Sequence, residues 1–295
     1  MTRYEIVHRP DRDQLGEGPV WDAQASVLYW ADIVKKRAFR FDPSSGKVTR
    51  WEMPSVCSAV VPTTQGDLLV TLEDGVHRLD PESGETRLFA RPDTDPQNRS
   101  NDTRTDPRGR LILGTMWNNI GPNGEALDLG GSTGGLFWLD AEGRSGRLLG
   151  DIGISNSLGF SPEGDRLYFA DTIKATIWSF AYDIDGPGLS DRRVLHQGGP
   201  GNPDGSAVDE AGCLWNARWG AGRVIRFTPE GHIDLEIELP VEQPSCCAFG
   251  GHDLKTLYIT SARQELEGLA PDSLDGCLFA VRVDTAGLPS ARFRG

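Results

Sequence analysis

Lysine and arginine are in short supply. Thirty basic residues stand against 43 acidic ones, for a net charge of −13. Polyanions are held by basic patches, so neither nucleic acid nor an anionic membrane is expected as a partner. Histidine is scarce too: His8, His77, His196, His232 and His252 show no metal-ligand spacing, which argues against histidine-centred metal sites or catalysis. The five cysteines are odd in number and lack CxxC spacing. Cys246 and Cys247 are adjacent and would point to opposite faces of a strand, which suits neither zinc nor a disulfide framework. Buried thiols in a reducing compartment are expected. No apolar run approaches membrane-spanning length, and the N-terminal MTRYEIVHRPDRDQLGEG has no apolar targeting core, so a cytoplasmic location is expected. Capped 3.6-residue periodicity is missing, and helix should be close to absent. No GxSxG elbow, Walker loop or dinucleotide fingerprint stands in a suitable context.

What the chain does have is glycine (36), proline (19) and tryptophan (eight), a composition of many short strands and tight turns. Residues 201–229, GNPDGSAVDEAGCLWNARWGAGRVIRFTP, read as three antiparallel strands joined by such turns. A meander of this size cannot bury its own apolar face, and it recurs. LYWAD at 28–32, LLVTL at 68–72, LILGT at 111–115, LYFAD at 167–171, LWNAR at 214–218 and LYITS at 257–261 start 40, 43, 56, 47 and 43 residues apart. Each run follows a polar turn and precedes a third apolar run. Six units of this length, each able to form a four-stranded meander, predict an all-β, six-bladed β-propeller. A single domain over 1–295 is expected, with the lone strand at 4–8 pairing into the last blade to close the ring. At this length roughly 75% of the unfolded surface can be hidden without covalent staples.

Two units carry inserts at one equivalent place, between second and third strands: residues 116–134 in blade 3 and 263–276 in blade 6. Meander connections alternate between faces. Both inserts therefore lie on the face where the first strands enter, and long loops gathered on one face mark a binding site.

Polar residues ahead of each first strand obey the same register. Counted back from the second-strand leucine, Glu17 and Asn156 stand 11 residues away, and Asn101 and Asp204 stand 10. Blade 2 offers Val56, Cys57 and Ser58 at this level and blade 6 offers residues 243–247, neither with a carboxylate. Any one of the four could be an ordinary turn former. Together they place two carboxylates and two amide oxygens around a channel, a ligand set for one divalent cation of the Ca²⁺, Mg²⁺ or Mn²⁺ type. Open positions would remain for water and a substrate oxygen. Arg99 beside Asn101 could turn its guanidinium fork toward a substrate oxygen, and Asp102 could orient a ligand or close the turn. Trp117, Asn118, Asn119 and Arg218 lie on mouth-facing loops and could shape a polar pocket.

At these residues the chain resembles the senescence marker/gluconolactonase/luciferin-regenerating (regucalcin-like) family. The matching pieces are LGEGPVWD (15–22), NRSNDTRTDPRGRLILGTM (98–116), ISNSLGFSPEGDRLYFADT (154–172), NPDGSAVDEAGCLWNARW (202–219) and CCAFGGHDLKTLYITSAR (246–263). The resemblance implies a six-bladed propeller whose single divalent metal is held by Glu17, Asn156 and Asp204. It further implies that Asn101 touches the metal through water or helps bind substrate, that Arg99 contacts substrate oxygens, and that the reaction is hydrolysis of an aldonolactone. After GTM many relatives place acidic residues that contact substrate, where this chain has Trp117, Asn118 and Asn119, so substrate identity is not carried over. The reading is a metal-dependent sugar lactonase of carbohydrate catabolism. Asp204 is ligand and general base, Arg99, Asn101, Asn118 and Arg218 are substrate-binding, and Arg218 is a candidate to admit an acidic substituent. Ca²⁺ comes first as cofactor, with Zn²⁺, Mn²⁺, Mg²⁺ or Fe²⁺ also accommodated. A small-molecule lactone is the partner, and a monomer or weak homo-oligomer is expected. A phosphotriester hydrolase and a non-enzymatic calcium-binding propeller are the alternatives on this scaffold.

Overall fold

The computed structural model describes residues 3–8 and 12–295; residues 1–2 and 9–11 of the N-terminal stretch read above lie outside the described residues. It is all strand, with no helix among the described residues. Strand β1 (Tyr4–His8) comes first. Blade 1 comprises β2 (Gly16–Asp22), β3 (Val27–Asp32), β4 (Arg37–Asp42) and β5 (Lys47–Glu52). Blade 2 comprises β6 (Cys57–Pro62), β7 (Leu68–Leu72), β8 (Gly75–Leu79) and β9 (Thr86–Ala90). In blade 3 follow β10 (Asn98–Thr105), β11 (Leu111–Trp117), β12 (Gly134–Leu139) and β13 (Ser145–Ile152). Blade 4 holds β14 (Ser155–Phe160), β15 (Arg166–Asp171), β16 (Thr176–Asp183) and β17 (Gly188–Gln197), and blade 5 holds β18 (Asn202–Val208), β19 (Leu214–Trp219), β20 (Arg223–Phe227) and β21 (Ile233–Glu238). The last sheet runs β22 (Gln243–Gly250), β23 (Thr256–Ala262), β24 (Leu278–Arg282), with β1 as its outer strand. This is a six-bladed β-propeller, with β1 antiparallel to β24 through Tyr4↔Val281 and Ile6↔Phe279.

Six apolar clusters lie between successive blades, and strand alternation explains them. On β3, Val27, Tyr29 and Ala31 face blade 2 and pack with Cys57, Val60, Leu68 and Val70. Leu28 and Trp30 on the same strand face blade 6, beside Tyr258 and Leu278. Equivalent clusters join blades 2 and 3, 3 and 4, 4 and 5, and 5 and 6. A strand apolar on both sides has no solvent face to present, which is why the second-strand runs are so uniformly hydrophobic.

The chain beyond β24 crosses the lower face. Leu288 donates to the Val208 carbonyl of blade 5 and Arg294 to the Gly109 carbonyl of blade 3. Phe293 donates to Pro62 of blade 2, its carbonyl accepts from Thr64, and its ring is fully buried. Arg292 pairs with Asp22 of blade 1 at 2.7 Å. Every turn from β2 to β3 and its equivalents lies on this face. Entries to the innermost strands, and both long inserts, lie on the other.

Candidate functional site

Each of the six innermost strands carries one extra residue relative to its partner, at the same level. Pairing passes from Glu17↔Ala31 to Val20↔Tyr29 in blade 1, from Ser100↔Thr115 to Thr103↔Leu113 in blade 3, from Asn156↔Ala170 to Gly159↔Tyr168 in blade 4, and from Pro203↔Arg218 to Ser206↔Asn216 in blade 5. Blades 2 and 6 have the same interruption at Ser58 and Ser245. Bulges of this kind bend a strand and re-aim its side chains. Four residues up from the partner of each second-strand leucine stand Glu17, Ser58, Asn101, Asn156, Asp204 and Ser245, one per blade. The four polar residues singled out in the sequence occupy one height.

Glu17, Asn101, Asn156 and Asp204 line one cavity of about 150 Å³ at the upper mouth of the channel, together with Arg99 and Thr172. Leu15, Ile33 and Trp219 supply its apolar wall, and Gln264 and Glu265 come from the blade 6 insert. The two serines of the ring turn away. Ser58 Oγ donates to the Asn101 carbonyl at 2.9 Å and Ser245 Oγ to the Gly16 carbonyl at 2.5 Å.

A chain of hydrogen bonds orders the amides. Arg99 donates to Asn101 Oδ1 at 2.7 Å and to Asn119 Oδ1 at 2.9 Å, and its buried Nε has no partner. Asn101 Nδ2 donates to Asn156 Oδ1 at 3.2 Å. Asn156 Nδ2 donates to Thr172 Oγ1, which donates to the Pro203 carbonyl. Asp102 points one level deeper, where its carboxylate accepts from the Thr103 and Leu158 amides at 2.9 Å each and ties blade 3 to blade 4.

The carboxyls sit in an environment that resists charge. Burial, followed by the Asp102 charge, pushes Glu17 up to about 8. Burial, then the charges of Glu17 and Asp102, raises Asp204 well above the usual carboxylate range. Mutual repulsion of this kind is relieved by a cation between the groups. Two carboxylates and the Asn156 amide oxygen are hard donors fitted to such an ion. Among the described residues no three His, Cys, Asp or Glu side chains gather as a metal cluster. An ion here would therefore complete its shell with water or substrate. Burial also draws the Arg99 guanidinium down to about 10, against the charges of Glu17 and Glu73.

Two of the residues expected to bind substrate stand away from the cavity wall. Arg218 is 1% exposed and absent from the cavity wall. Its guanidinium donates to the carbonyls of Gly198, Pro200 and Gly201 and to Asn216 Oδ1, bracing the loop that enters blade 5. Asn118 turns toward blade 2, donating to Glu73 at 2.9 Å, while its neighbour Asn119 lines the cavity. Three contributors escaped the sequence reading. Thr172 directly follows the blade 4 second-strand run. Gln264 lies in an insert already assigned to this face. Asn216, fully buried beneath Asp204, lies mid-strand and gave no signal at all.

Residues 15–263 match the family described as SMP-30/Gluconolactonase/LRE-like region. The chain is 41% identical to a 6-deoxy-6-sulfogluconolactonase of Pseudomonas putida, covering 98% of each. It is 36% identical to the pentonolactonase XacC of Haloferax volcanii, over 99% of this chain and 98% of that one. Among solved structures, a calcium-binding protein, regucalcin, from Agrobacterium tumefaciens superposes with a TM-score of 0.89 at 29% identity, covering 100% of this chain and 98% of that one.

Proposed function

Because this chain belongs to the SMP-30/Gluconolactonase/LRE-like family, we propose that it hydrolyses a sugar lactone to the open sugar acid, using one divalent cation. The observation that carries the reading is the meeting of Glu17, Asn156 and Asp204 with the Arg99–Asn101 pair around one small cavity. Relatives named 6-deoxy-6-sulfogluconolactonase, pentonolactonase and L-arabinolactonase support the reaction class. A pentose or hexose lactone fits the cavity's size and polar lining.

A bound cation would supply Lewis acidity and offset the repulsion between the two carboxyls. Glu17, Asn156 and Asp204 would hold it through oxygen. Ca²⁺ is the first choice, in keeping with the calcium-binding regucalcin neighbour; Zn²⁺, Mn²⁺, Mg²⁺ and Fe²⁺ suit the same donors. Asp204 takes a proton from the water that attacks the lactone carbonyl carbon. Arg99 and Asn101, already locked to each other, orient the ring and turn donor groups toward the carbonyl oxygen as charge develops there. The ring C–O bond then breaks, and the proton passes to the leaving alkoxide. Apolar Leu15, Ile33 and Trp219 limit water at the mouth.

We place the protein in the cytoplasm, which accords with five buried cysteines outside any disulfide. One chain supplies every side chain around the cavity, so a monomer or weak homo-oligomer suffices. The deciding experiment sets a panel of aldonolactones against metal-stripped protein with each cation restored in turn. Hydrolysis should be lost on stripping and return with at least one cation. If no lactone is opened under any cation, the reading fails.

A further inference from the structure

Three residues further along each innermost strand from the ring of Glu17 and Asp204 lies another ring: Val20, Val61, Arg104, Gly159, Ala207 and Ala248. Arg104 is the one charged member, and the six face a separate cavity of about 240 Å³ that opens from the lower side. Between the two rings lies Asp102, among Gly18, Ala59, Ser157, Gly205 and Cys246. The axis thus stacks charges in order: two carboxyls, one carboxylate, one guanidinium.

Arg104 is fixed in this stack. Its guanidinium donates to the Ser206 and Thr103 carbonyls, at 3.2 and 3.3 Å, and lies 3.8 Å from the Asp102 carboxylate. It also meets Cys246 Sγ at 3.2 Å. That thiol is itself wedged against Gly205, where a Cβ would lie 2.1 Å from the sulfur. The Arg104 side chain is only 12% exposed, and that of Asp102 3%. When Glu17, Asp102 and Asp204 are ionised, Arg104 from below and Arg99 from above are the guanidinium groups set against three negative charges. A buried charge is tolerated when it is paired, and its removal leaves its partner uncompensated.

We propose that Arg104 is the internal counter-charge of the cation site: it holds the acidic stack together in the metal-free protein and competes electrostatically with the bound cation, keeping that cation exchangeable. The proposal rests on the cation reading above and predicts an effect of unusual sign. Structural damage to a metal site weakens binding, whereas removing a competing positive charge strengthens it.

The test is calorimetric titration of Ca²⁺ into metal-stripped wild type, R104M and R104K, with thermal melts of the metal-free proteins. R104M should bind Ca²⁺ about tenfold more tightly than wild type and melt at a lower temperature without metal. R104K keeps the charge and should stay within about threefold of wild type. Should R104M not fold, R104Q carries the same expectation. Wild type that binds Ca²⁺ beside a folded R104M that binds it equally or more weakly overturns the counter-charge alone. Wild type that binds no divalent cation removes the cation reading and this proposal with it.

Discussion

The side-chain Nδ2 of Asn216 donates to the main-chain carbonyl of Asp204 across 2.8 Å. The same nitrogen reaches Ser206 Oγ at 2.9 Å and Ser157 Oγ at 3.3 Å. One buried amide on the second strand therefore props the bulge that aims Asp204 at the channel. In Asn216→Ala the Asp204 carbonyl loses this donor and the Ser157–Ser206 hydroxyl pair loses its shared amide neighbour, and stability should fall by about 1–3 kcal/mol. Lactonase kcat should drop about tenfold or more, because the bulge loses its fixed geometry. Urea unfolding and steady-state kinetics check the two effects separately.

Glu17 and Asp204, proposed to hold the cation, oppose stability when ionised without it. Glu17→Gln and Asp204→Asn should each lower kcat/KM by about 1,000-fold or more. Each should also leave the metal-free protein as stable as wild type or more so, since a repelling buried carboxyl is gone. Calorimetric melts without metal, set beside turnover of an aldonolactone, give both numbers. A substantially active Asp204→Asn would remove the assignment of ligand and base.

Arg218 carries a different load. Its substitution by alanine strips donors from three loop carbonyls and from Asn216, with an expected loss of about 2–4 kcal/mol. Neutral and acidic lactones should suffer by the same factor. A selective loss on an acidic lactone would return Arg218 to the substrate, so the ratio of kcat/KM values is the quantity to measure.

Asp13 supplies a pH dependence away from the cavity. Its carboxyl is 2% exposed; it accepts from Trp30 Nε1 at 2.9 Å, and its Oδ1 has no partner. Burial, then the Asp32 charge, raises it well above the ordinary value of 3.8. Stability from this group is complete below the unfolded value and is lost as pH climbs through the raised folded value. Asp13→Asn should therefore gain about 1–2 kcal/mol over wild type at pH 8, with no gain near pH 4. Paired denaturation curves at the two pH values test the sign.

Much of this was legible because leucine marks each second strand and the strand interiors are apolar on both sides. The counts back from the second-strand leucine alternate between 11 and 10 residues. In the structure they come from the hairpins: Trp21↔Leu28 and Phe160↔Leu167 enclose one more residue than Thr105↔Leu111 and Val208↔Leu214. Measured along the strand, the four site residues align. Arg218 and Asn118 stand off the cavity wall for one shared reason. Both belong to segments whose carbonyls and loop path decide where a long or flexible side chain goes, and linear spacing carries no such information. Asn216 was invisible because its partner is a main-chain oxygen, which has no letter of its own.

The segment beyond β24 joins blade 6 to blades 5, 3, 2 and 1 on the face opposite the cavity. The ring is thus held by two seams of different kind, a strand at one terminus and a tie-bar at the other. Opening a radial gap requires both to yield, so blades cannot peel away one at a time as in an open solenoid. Loss of the blades should be a concerted event. The spacing between Glu17 on blade 1 and Asp204 on blade 5, which spans the seam, is then protected by residues that never approach the cavity.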